Sequence, residues 1–407
     1  MKALNDNTHP LESLLKQHCP NGVEFKELGE LELNKILNLG RGKIISQNDL
    51  KNCPGEYPVY SSSATKNGEI GKYGKYMFDD ERITWSIDGG GKFFYRNHLK
   101  YSVTNVCGWI KVINLDELNT KFLFYALINE WVKKKFNYTK KAHPSIIKKE
   151  YCIPLPPLEI QYKIVEILDA FTELQAELEA ELEAELEARL KQYHYYRNKL
   201  LSHDELENRT AKSRNDSDPT PLVPYVSLGE VCEKVFAGGD LPKEYSKDKK
   251  PSGEFLYPIY SNGSDENSLY GFSKTYRIDA EAVTISARGT IGFHTTREAK
   301  FTPIVRLITL IPNLNKITNR FLNYALYTTH IEKYGTSAGI PQLTIPMLEK
   351  ITIPLPPLVV QEEIVELLDK FDTLTNDLTS GIPAEIEARK KQYEYYRERL
   401  LSFIAKD

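Results

Sequence analysis

The sequence predicts an α+β fold in which two similar, mixed α/β heads stand in tandem and each is followed by a long helix. The first observation is a repeated hexapeptide, Ile-Pro-Leu-Pro-Pro-Leu, at residues 153–158 and again at 353–358. The second is that 29 of the 50 residues in 153–202 are identical to those 200 positions later. The third is a fainter repeat of the preceding segments at the same offset. A period this long indicates two copies of one unit rather than a solenoid, and it predicts pseudo-two-fold symmetry.

The repeat also suggests where the domains begin and end. We expect a first head at residues 1–152, an elbow and helix at 153–202, a linker at 203–220, a second head at 221–352, and a second elbow and helix at 353–407. The linker is expected to be exposed because its residues are polar and rich in turn formers.

Each head contains short β-rich runs separated by Gly and Asn, which predict a twisted, largely antiparallel sheet. Residues 57–61 read Tyr-Pro-Val-Tyr-Ser, and residues 257–261 read Tyr-Pro-Ile-Tyr-Ser. Helical stretches are expected at 11–18, at 121–135 and near 320–334. Because the two heads share only this framework, whereas the helices are nearly the same, we expect the heads to present different surfaces.

The repeated hexapeptide predicts a rigid elbow between head and helix. Proline fixes φ and removes a hydrogen-bond donor, so the run cannot lie inside a helix or a central strand. A ligand for proline-binding domains is the alternative, but two copies placed directly before long helices favour the elbow.

The segments after the elbows predict long, paired helices. An apolar stripe from Ile164 to Leu174 is followed by three Ala-Glu-Leu-Glu tetrads at 176–187, all strong helix formers. A helix over 159–202 would be ~66 Å long and needs a partner. The copy at 359–402 is that partner, and the intervening head favours an antiparallel coiled coil. In the second helix, Ser-Gly-Ile-Pro at 380–383 predicts a break with a restart near Pro383.

Composition excludes several classes of protein. No apolar run approaches the ~18 residues of a membrane span, and no secretory signal precedes the first head. The five cysteines are scattered, which is typical of a reducing cytoplasm and of a chain without a zinc site. Residues 21–152 carry 21 Lys and Arg against 15 Asp and Glu, whereas 159–202 carry 5 against 10. DNA would therefore be attracted to the first head more than to its helix.

Together, these features resemble the specificity subunit of a type I restriction–modification system. The resemblance rests on the head–elbow–helix order, the Leu-Pro-Pro-Leu elbow, the tetrads, and the helix end at 191–197, Lys-Gln-Tyr-His-Tyr-Tyr-Arg. Residues 287–292, Ala-Arg-Gly-Thr-Ile-Gly, resemble an Arg-Gly-Thr-x-Gly pattern of that family's target-recognition domains.

The resemblance implies a function in DNA recognition. Each head would be a target-recognition domain for one half of a split double-stranded DNA site, and the helices would set the gap between the halves. The helices would also bind two copies of a DNA adenine methyltransferase subunit, which uses S-adenosylmethionine, and a motor–endonuclease subunit would join them. The chain itself would bind no cofactor or metal and would carry no catalysis.

Candidate DNA-binding residues lie where polar or basic side chains follow the predicted strands. An arginine suits both phosphate and guanine, so Arg288 is the first candidate. Its counterpart in the first head is Asp88, which cannot take that role. A turn or surface ion-pair role is the alternative for each of them. The candidates are Arg41, Lys43, Ser61, Ser62, Thr65, Lys66 and Lys92 in the first head, and Ser261, Asn262, Ser264, Arg288 and Thr290 in the second.

The repeated helix ends carry aromatic and arginine side chains, which are frequent at interfaces. They predict a binding site for each methylating subunit, with packing between the helices as the alternative. The residues are Tyr193, Tyr195, Tyr196, Arg197, Tyr393, Tyr395, Tyr396 and Arg397.

The sequence contains no recognised enzyme motif. Residues 89–92 read Gly-Gly-Gly-Lys but are followed by Phe93, so they predict a turn and not a phosphate-binding loop. The main hypothesis is a non-catalytic, cytoplasmic DNA-recognition subunit. The alternatives are a coiled-coil scaffold or DNA-binding regulator outside a restriction system, and an enzyme with an unrecognised site.

Overall fold

The computed structural model describes residues 10–63, 66–97, 99–134, 136, 140–213, 223–264, 268–335, 342–376 and 380–403. The chain divides into two compact units. The first unit contains residues 1–181 together with 386–407, and the second contains residues 182–385. Each unit therefore combines one head with the first part of the long helical segment that follows it and with the last part of the other.

The first head is built from short strands with helices before and after them. Its helices are α1 (Pro10–His18), α2 (Leu28–Leu33), α3 (Gln47–Asn52), α4 (Thr120–Trp131) and α5 (Pro144–Glu150), and α6 (Leu158–Leu200) follows. Its strands are β1 (Phe25–Glu27), β2 (Leu37–Arg41), β3 (Tyr57–Tyr60), β4 (Glu69–Tyr73), β5 (Arg82–Ser86), β6 (Phe93–Arg96), β7 (Ser102–Val103), β8 (Cys107–Val112) and β9 (Cys152–Pro154).

The second head repeats this order, except that a strand, β12 (Tyr245–Ser246), stands where the first head has helix α3. Its helices are α7 (His203–Ser213), α8 (Leu228–Val231), α9 (Asn319–Leu326) and α10 (Ile345–Leu348), followed by α11 (Leu358–Asn376) and α12 (Ile382–Leu401). Its strands are β10 (Tyr225–Ser227), β11 (Cys232–Ala237), β12 (Tyr245–Ser246), β13 (Tyr257–Tyr260), β14 (Leu269–Ser273), β15 (Ala282–Ser286), β16 (His294–Arg297), β17 (Thr302–Pro303), β18 (Leu307–Pro312) and β19 (Thr352–Pro354).

Two sheets form the centre of each head, and their topology confirms the prediction of a largely antiparallel arrangement. In the first head a four-stranded antiparallel sheet has the order β2-β8-β5-β6, and a smaller sheet has the order β4-β3-β7. In the second head the corresponding orders are β11-β18-β15-β16 and β12-β14-β13-β17. The only parallel pairs of these sheets in the described chain are β3 with β7 and β13 with β17.

The cores of the two heads use different residues at equivalent positions. In the first head Trp85 lies opposite Gly108 on the neighbouring strand, and a Cβ atom on that glycine would overlap the indole ring. In the second head Ile285 lies opposite Ile308. A tryptophan and a glycine in the first head thus take the place of two isoleucines in the second, which keeps both cores filled.

The hexapeptide forms the predicted elbow in both copies. Strand β9 pairs with β1 and places Pro154 at the end of the ladder, where proline is tolerated, and α6 begins at Leu158. The pairing of β19 with β10 repeats this arrangement before α11.

A buried glutamine joins each elbow to its head. Gln161 donates to the carbonyl oxygens of Glu117 and Pro156 at 2.9 and 2.8 Å, and its own carbonyl accepts from the Asn119 amide at 2.8 Å. Gln361 makes the same three bonds in the second head, at 2.9, 2.8 and 2.9 Å. Each helix therefore begins in a fixed direction from its head.

Replacing this glutamine should destabilise the unit that contains it. Gln161→Ala would leave buried backbone groups without partners, at ~1–3 kcal/mol for each group. We expect a lower midpoint of urea unfolding for that unit, with the slope unchanged. Gln175→Ala in the same helix is the control, since Gln175 is only half-buried and its one side-chain hydrogen bond within the described residues is a long one, to Glu179 at 3.5 Å. Equal losses from both variants would contradict the assigned role.

The long helices pack antiparallel within the first unit. Phe171 lies against Tyr396 at 5.8 Å between ring centroids, whereas Glu179 pairs with Lys390 at 3.4 Å, so the order along the two helices is reversed. In the second unit Tyr196 stacks on Phe371 at 5.4 Å. The predicted break is confirmed, because α11 ends at Asn376 and α12 restarts at Ile382.

The structure corrects the expected linker at 203–220. Residues 203–213 form helix α7, which buries Leu206 and Thr210 and packs against α11. The polar composition did not indicate a helix, because its buried face consists of only two residues. Ser202 caps the first turn by accepting hydrogen bonds from backbone amides of that turn. Residues 214–220 lie outside the described part of the chain.

Two other helices end earlier than expected. The helix predicted over 121–135 ends at Trp131, and the one near 320–334 ends at Leu326 before a short 3₁₀ turn at Ile331–Tyr334. Over the residues that the structure covers, no helix is both long and apolar enough to span a bilayer.

Candidate nucleic-acid interface

Three loops of the first head meet because each follows a strand that ends at the same edge. Lys43, after β2, pairs with Thr104, whose amide donates to the Tyr60 carbonyl at 2.9 Å. The Ser86 hydroxyl, at the end of β5, donates to the Ser62 carbonyl at 2.7 Å. The structure thus brings the loops after β2, β3 and β5 together.

The loop at 87–92 approaches the loop after β3 closely. A Cβ atom at Gly89 would overlap the Ser62 carbonyl oxygen, so only glycine fits there. Gly90 and Gly91 have φ values of 89° and 75°, in the left-handed region. The predicted turn at residues 89–91 is confirmed.

The second head joins its corresponding loops by direct hydrogen bonds. The Asn262 side-chain amide donates to the Arg288 carbonyl at 2.7 Å, and the Thr290 hydroxyl donates to the Asn262 carbonyl at 2.8 Å. Four predicted residues, including Ser261 directly after β13, therefore lie in one cluster. Ser264 is half-buried in the same loop.

Exposure differs among the sequence-predicted residues. Arg41, Lys43 and Thr290 are exposed. The half-buried ones are Ser61, Ser62, Lys92, Ser261, Asn262, Ser264 and Arg288. Lys92 places its ammonium group 5.5 Å from the centre of the Phe94 ring. Thr65 and the side chain of Lys66 lie outside the described residues.

The two heads differ in charge at the loop after β5 and β15. Asp88 forms an ion pair with Lys141 at 3.1 Å in the first head. In the second head the matching residue is Arg288, and its guanidinium makes no hydrogen bond or ion pair within the described residues. Within the described chain, the second head alone therefore presents an unpaired cation at this position.

Residues 133–149 contain seven lysines, and several of those that the structure describes are paired with carboxylates. Lys133 contacts Glu130 at 2.8 Å, Lys140 contacts Glu150 at 3.0 Å, and Lys148 contacts Glu32. These contacts favour a solvated, ion-paired surface over a track for the DNA backbone. Lys135 lies outside the described residues.

Two arginines of this region were not predicted from the sequence. Arg96 donates a hydrogen bond to the loop after β3, and Arg297 donates one to the loop after β13. A constant offset of 200 hides their equivalence, because the turn between β5 and β6 has six residues and the turn between β15 and β16 has seven. The equivalence of the two arginines becomes visible only in the strand pairing, in which β6 pairs with β5 and β16 pairs with β15.

The aromatic residues at the helix ends serve mainly in packing. Tyr193 is 5% exposed, and the Arg197 guanidinium lies 4.4 Å from the Tyr327 ring centre. In the first unit Tyr393 and Thr172 share a hydrogen bond at 2.9 Å, and Arg397 is buried.

One tyrosine of each set remains available. Tyr195 is 61% exposed and Tyr395 is 58% exposed, and each touches the following tyrosine edge-on, at 5.3 and 5.5 Å. Packing inside each unit therefore leaves Tyr195 and Tyr395 largely exposed.

Nothing within the described residues groups three or more His, Cys, Asp or Glu side chains in a way that could hold a metal ion. The described cysteines Cys19, Cys53, Cys107, Cys152 and Cys232 are all free. Burial raises the pKa of the Cys107 thiol to about 12, which makes it a poor nucleophile at neutral pH.

Comparisons with known proteins agree on one family. A model of the type I restriction modification DNA specificity domain matches residues 20–188 and 223–388. A putative type I specificity subunit of Mycoplasma pneumoniae is 36% identical over 377 residues, covering 92% of this chain and 97% of that protein. A putative type I restriction enzyme specificity subunit of Haemophilus influenzae is 33% identical over 433 residues, covering 98% and 100%.

A solved structure shares the fold. It comes from work on complex assembly and conformational transition of the type I R-M system, with a TM-score of 0.60, 18% identity, and coverage of 94% of this chain and 98% of that one. Two matches to the family model and relatives aligned over almost their whole length show that this chain belongs to the family of type I restriction–modification DNA specificity subunits.

Proposed function

We propose that this chain recognises a split DNA site, with one half contacted by each head and the gap set by the long helices. It would do so as the non-catalytic subunit of a cytoplasmic complex, together with two copies of an adenine-methylating subunit and a motor–endonuclease subunit. S-adenosylmethionine would bind to the methylating subunits.

The observation that carries this proposal is the loop cluster at the same edge of both heads. In each head the loop after β3 or β13 lies against the loop after β5 or β15. The framework is shared, but Ser62 and Asp88 in one head become Asn262 and Arg288 in the other. A common scaffold with different polar side chains is what two readers of different base sequences require.

A fixed attachment of each head to its helix supports the gap-setting part of the proposal. Asp169 accepts from Lys121 and from the Tyr125 hydroxyl, both at 2.7 Å. Asp369 accepts from Arg320 at 2.7 Å and from the Tyr324 hydroxyl at 2.6 Å. Together with the buried glutamines, these bonds resist bending between helix and head, so a change in helix length is transmitted to the head.

Two equivalent exposed tyrosines support the binding of two equivalent partners. Tyr195 and Tyr395 occupy the same position in the repeated helix ends. Tyrosine supplies a large contact area with a polar tip and is frequent at interface centres. We propose that each contacts one methylating subunit.

Arg288→Ala should weaken recognition of one half of the site. If the guanidinium contacts a guanine edge, the loss is ~1–3 kcal/mol of discrimination at that base, and the other half is unaffected. If it contacts phosphate, affinity falls for all sequences and the dependence on salt becomes shallower by about one ion. Binding of the assembled methyltransferase complex to duplexes at several salt concentrations distinguishes the two.

Lys350→Ala is the control for loss of a positive charge, since Lys350 is exposed in the same head but lies beside the elbow. An Arg288→Ala complex with unchanged affinity, selectivity and salt dependence would remove Arg288 from the proposed DNA contacts.

A further inference from the structure

A buried arginine in the first head contacts both ends of the loop that follows β3. The Arg96 guanidinium lies 3.5 Å from the ring centre of Tyr60, the last residue of that strand. Its Nη2 atom donates to the Asn67 carbonyl at 2.6 Å, at the far end of the loop. Its Nε atom donates to the Thr84 hydroxyl at 3.0 Å, on the neighbouring strand β5. One side chain therefore joins strand β3, its loop and the main sheet.

The second head contains the same arrangement on different residues. The Arg297 guanidinium lies 3.7 Å from the Tyr260 ring centre, and its Nε atom donates to the Thr284 hydroxyl at 3.0 Å. Its Nη2 atom donates to the Ser268 hydroxyl at 2.9 Å. The target at the end of the loop has changed from a carbonyl to a hydroxyl, but the geometry is retained.

Both loops are also closed at the base by the same backbone bond. The Ser61 amide donates to the Gly68 carbonyl and the Ser261 amide donates to the Ser268 carbonyl, each at 2.8 Å. Each arginine therefore contacts the loop at or next to the residue that closes it.

The loops differ in sequence although their anchor is retained. Residues 61–68 read Ser-Ser-Ser-Ala-Thr-Lys-Asn-Gly, and 261–268 read Ser-Asn-Gly-Ser-Asp-Glu-Asn-Ser, so six of the eight positions differ. The chain has thus kept the support and varied the supported segment. That is the expected pattern for a loop whose side chains contact a target and whose backbone must stay in one place.

We propose that Arg96 and Arg297 are positioning residues for DNA recognition. Each holds the described residues of its loop, 61–63 and 67–68 after β3 or 261–264 and 268 after β13, where their side chains meet the bases. The inference rests on the proposed function of the heads. Both arginines are assigned to positioning and not to DNA contact. Arg96 is only 5% exposed and its Nε and Nη2 donors face Thr84 and Asn67. Arg297 is half-buried, and its Nε and Nη2 donors face Thr284 and Ser268.

The chemistry of the anchor requires arginine. A guanidinium is planar, stacks on an aromatic ring and presents several donors in fixed directions, whereas an ammonium group is a compact charge on a flexible chain. Burial lowers the pKa of both guanidinium groups, and the neighbouring Tyr60 or Tyr260 opposes that shift. Lysine at either position would keep the charge and lose the simultaneous contacts.

The test compares Arg96→Lys and Arg297→Lys in the assembled methyltransferase complex. We expect each to reduce selectivity for one half of the site by roughly 10- to 100-fold, because a displacement of ~1 Å is enough to disrupt directional contacts. Arg96→Lys should affect one half and Arg297→Lys the other. The readout is methylation of duplexes that carry single-base changes in either half.

Arg82→Lys is the matched control. Arg82 lies on β5 opposite Arg96, is half-buried, and contacts the Phe78 and Trp109 rings at 3.8 and 4.8 Å and Asp80 by an ion pair. The Arg82→Lys variant should lower the thermal unfolding midpoint without changing selectivity. Equal loss of selectivity from Arg82→Lys, or none from Arg96→Lys, would overturn the inference.

Thr84→Val and Thr284→Val serve where a lysine variant does not fold. Valine has nearly the same volume as threonine, and the change removes the bond to the Nε atom of the arginine. The expected result is the same half-site effect at smaller size, and unchanged selectivity in both variants would again contradict the inference. A parent complex that methylates no specific sequence would instead refute the proposed function itself.

Discussion

Removing the tetrad at residues 180–183 is expected to shorten the gap in the DNA target by one or two base pairs and to leave both halves unchanged. Four residues of α-helix correspond to ~6 Å and a net rotation of ~40°. One base pair corresponds to ~3.4 Å along the duplex, and about 10 base pairs make a full turn. The deletion therefore changes the distance between the heads and their relative rotation in nearly the same ratio as the removal of base pairs from a duplex.

The local structure should tolerate this deletion. Helix α6 is continuous from Leu158 to Leu200, and every side chain from 169 to 192 is half-buried or exposed. The deletion consequently removes no residue from the core of either unit. Long-read mapping of methylated adenines, in a host without adenine methylation, measures the gap.

Two further changes of the helix sharpen this test. Deleting only residues 180–181 shortens the helix by ~3 Å but rotates the remainder of the helix by ~160°. That variant should methylate no split site, because the heads would no longer match the phase of the duplex. Glu181→Gln with Glu183→Gln keeps the length and should keep the gap. A tetrad deletion with the original gap would contradict the role of the helices.

Replacing both Tyr195 and Tyr395 by Asp is expected to abolish binding of the methylating subunits. Loss of a central aromatic contact typically costs at least ~2 kcal/mol, about 30-fold in affinity, and a buried carboxylate adds to that. The isolated chain should keep its unfolding midpoint, because both side chains are largely exposed. Native mass spectrometry of the co-expressed subunits gives the stoichiometry.

The single variants are expected to lose one copy each. Tyr162→Asp is the matched control, since Tyr162 is 55% exposed on the same helix α6 but lies near the elbow. Full occupancy by two methylating subunits in the double variant would place their binding site elsewhere on the chain.

The architecture was predictable because the chain contains two copies of one unit, so that the residues the copies share can be found within a single sequence. Gln161 and Asp169 stay the same at an offset of 200, and both join helix to head. The elbow and the break before Pro383 follow from local backbone chemistry, in which proline and glycine restrict or permit particular conformations. These elements depend on short stretches of chain and so can be inferred from them.

Features that depend on tertiary packing were not predictable. Helix α7 is polar on most of its surface and is held by α11, which lies some 150 residues later in sequence. Tyr193 and Tyr195 look alike in the repeat, but one is buried and the other exposed. The roles of Arg96 and Arg297 depend on which strands lie side by side, and their offset of 201 conceals them from a fixed comparison.

We expect the two heads to recognise two separate half-sites. The most direct measurement is to co-express the unaltered chain with a methylating subunit of its system, in a host lacking adenine methylation, and to map every methylated adenine by long-read sequencing. We predict a single motif of two specific halves separated by a non-specific gap of fixed length. A continuous motif, or methylation without any sequence preference, would contradict the account.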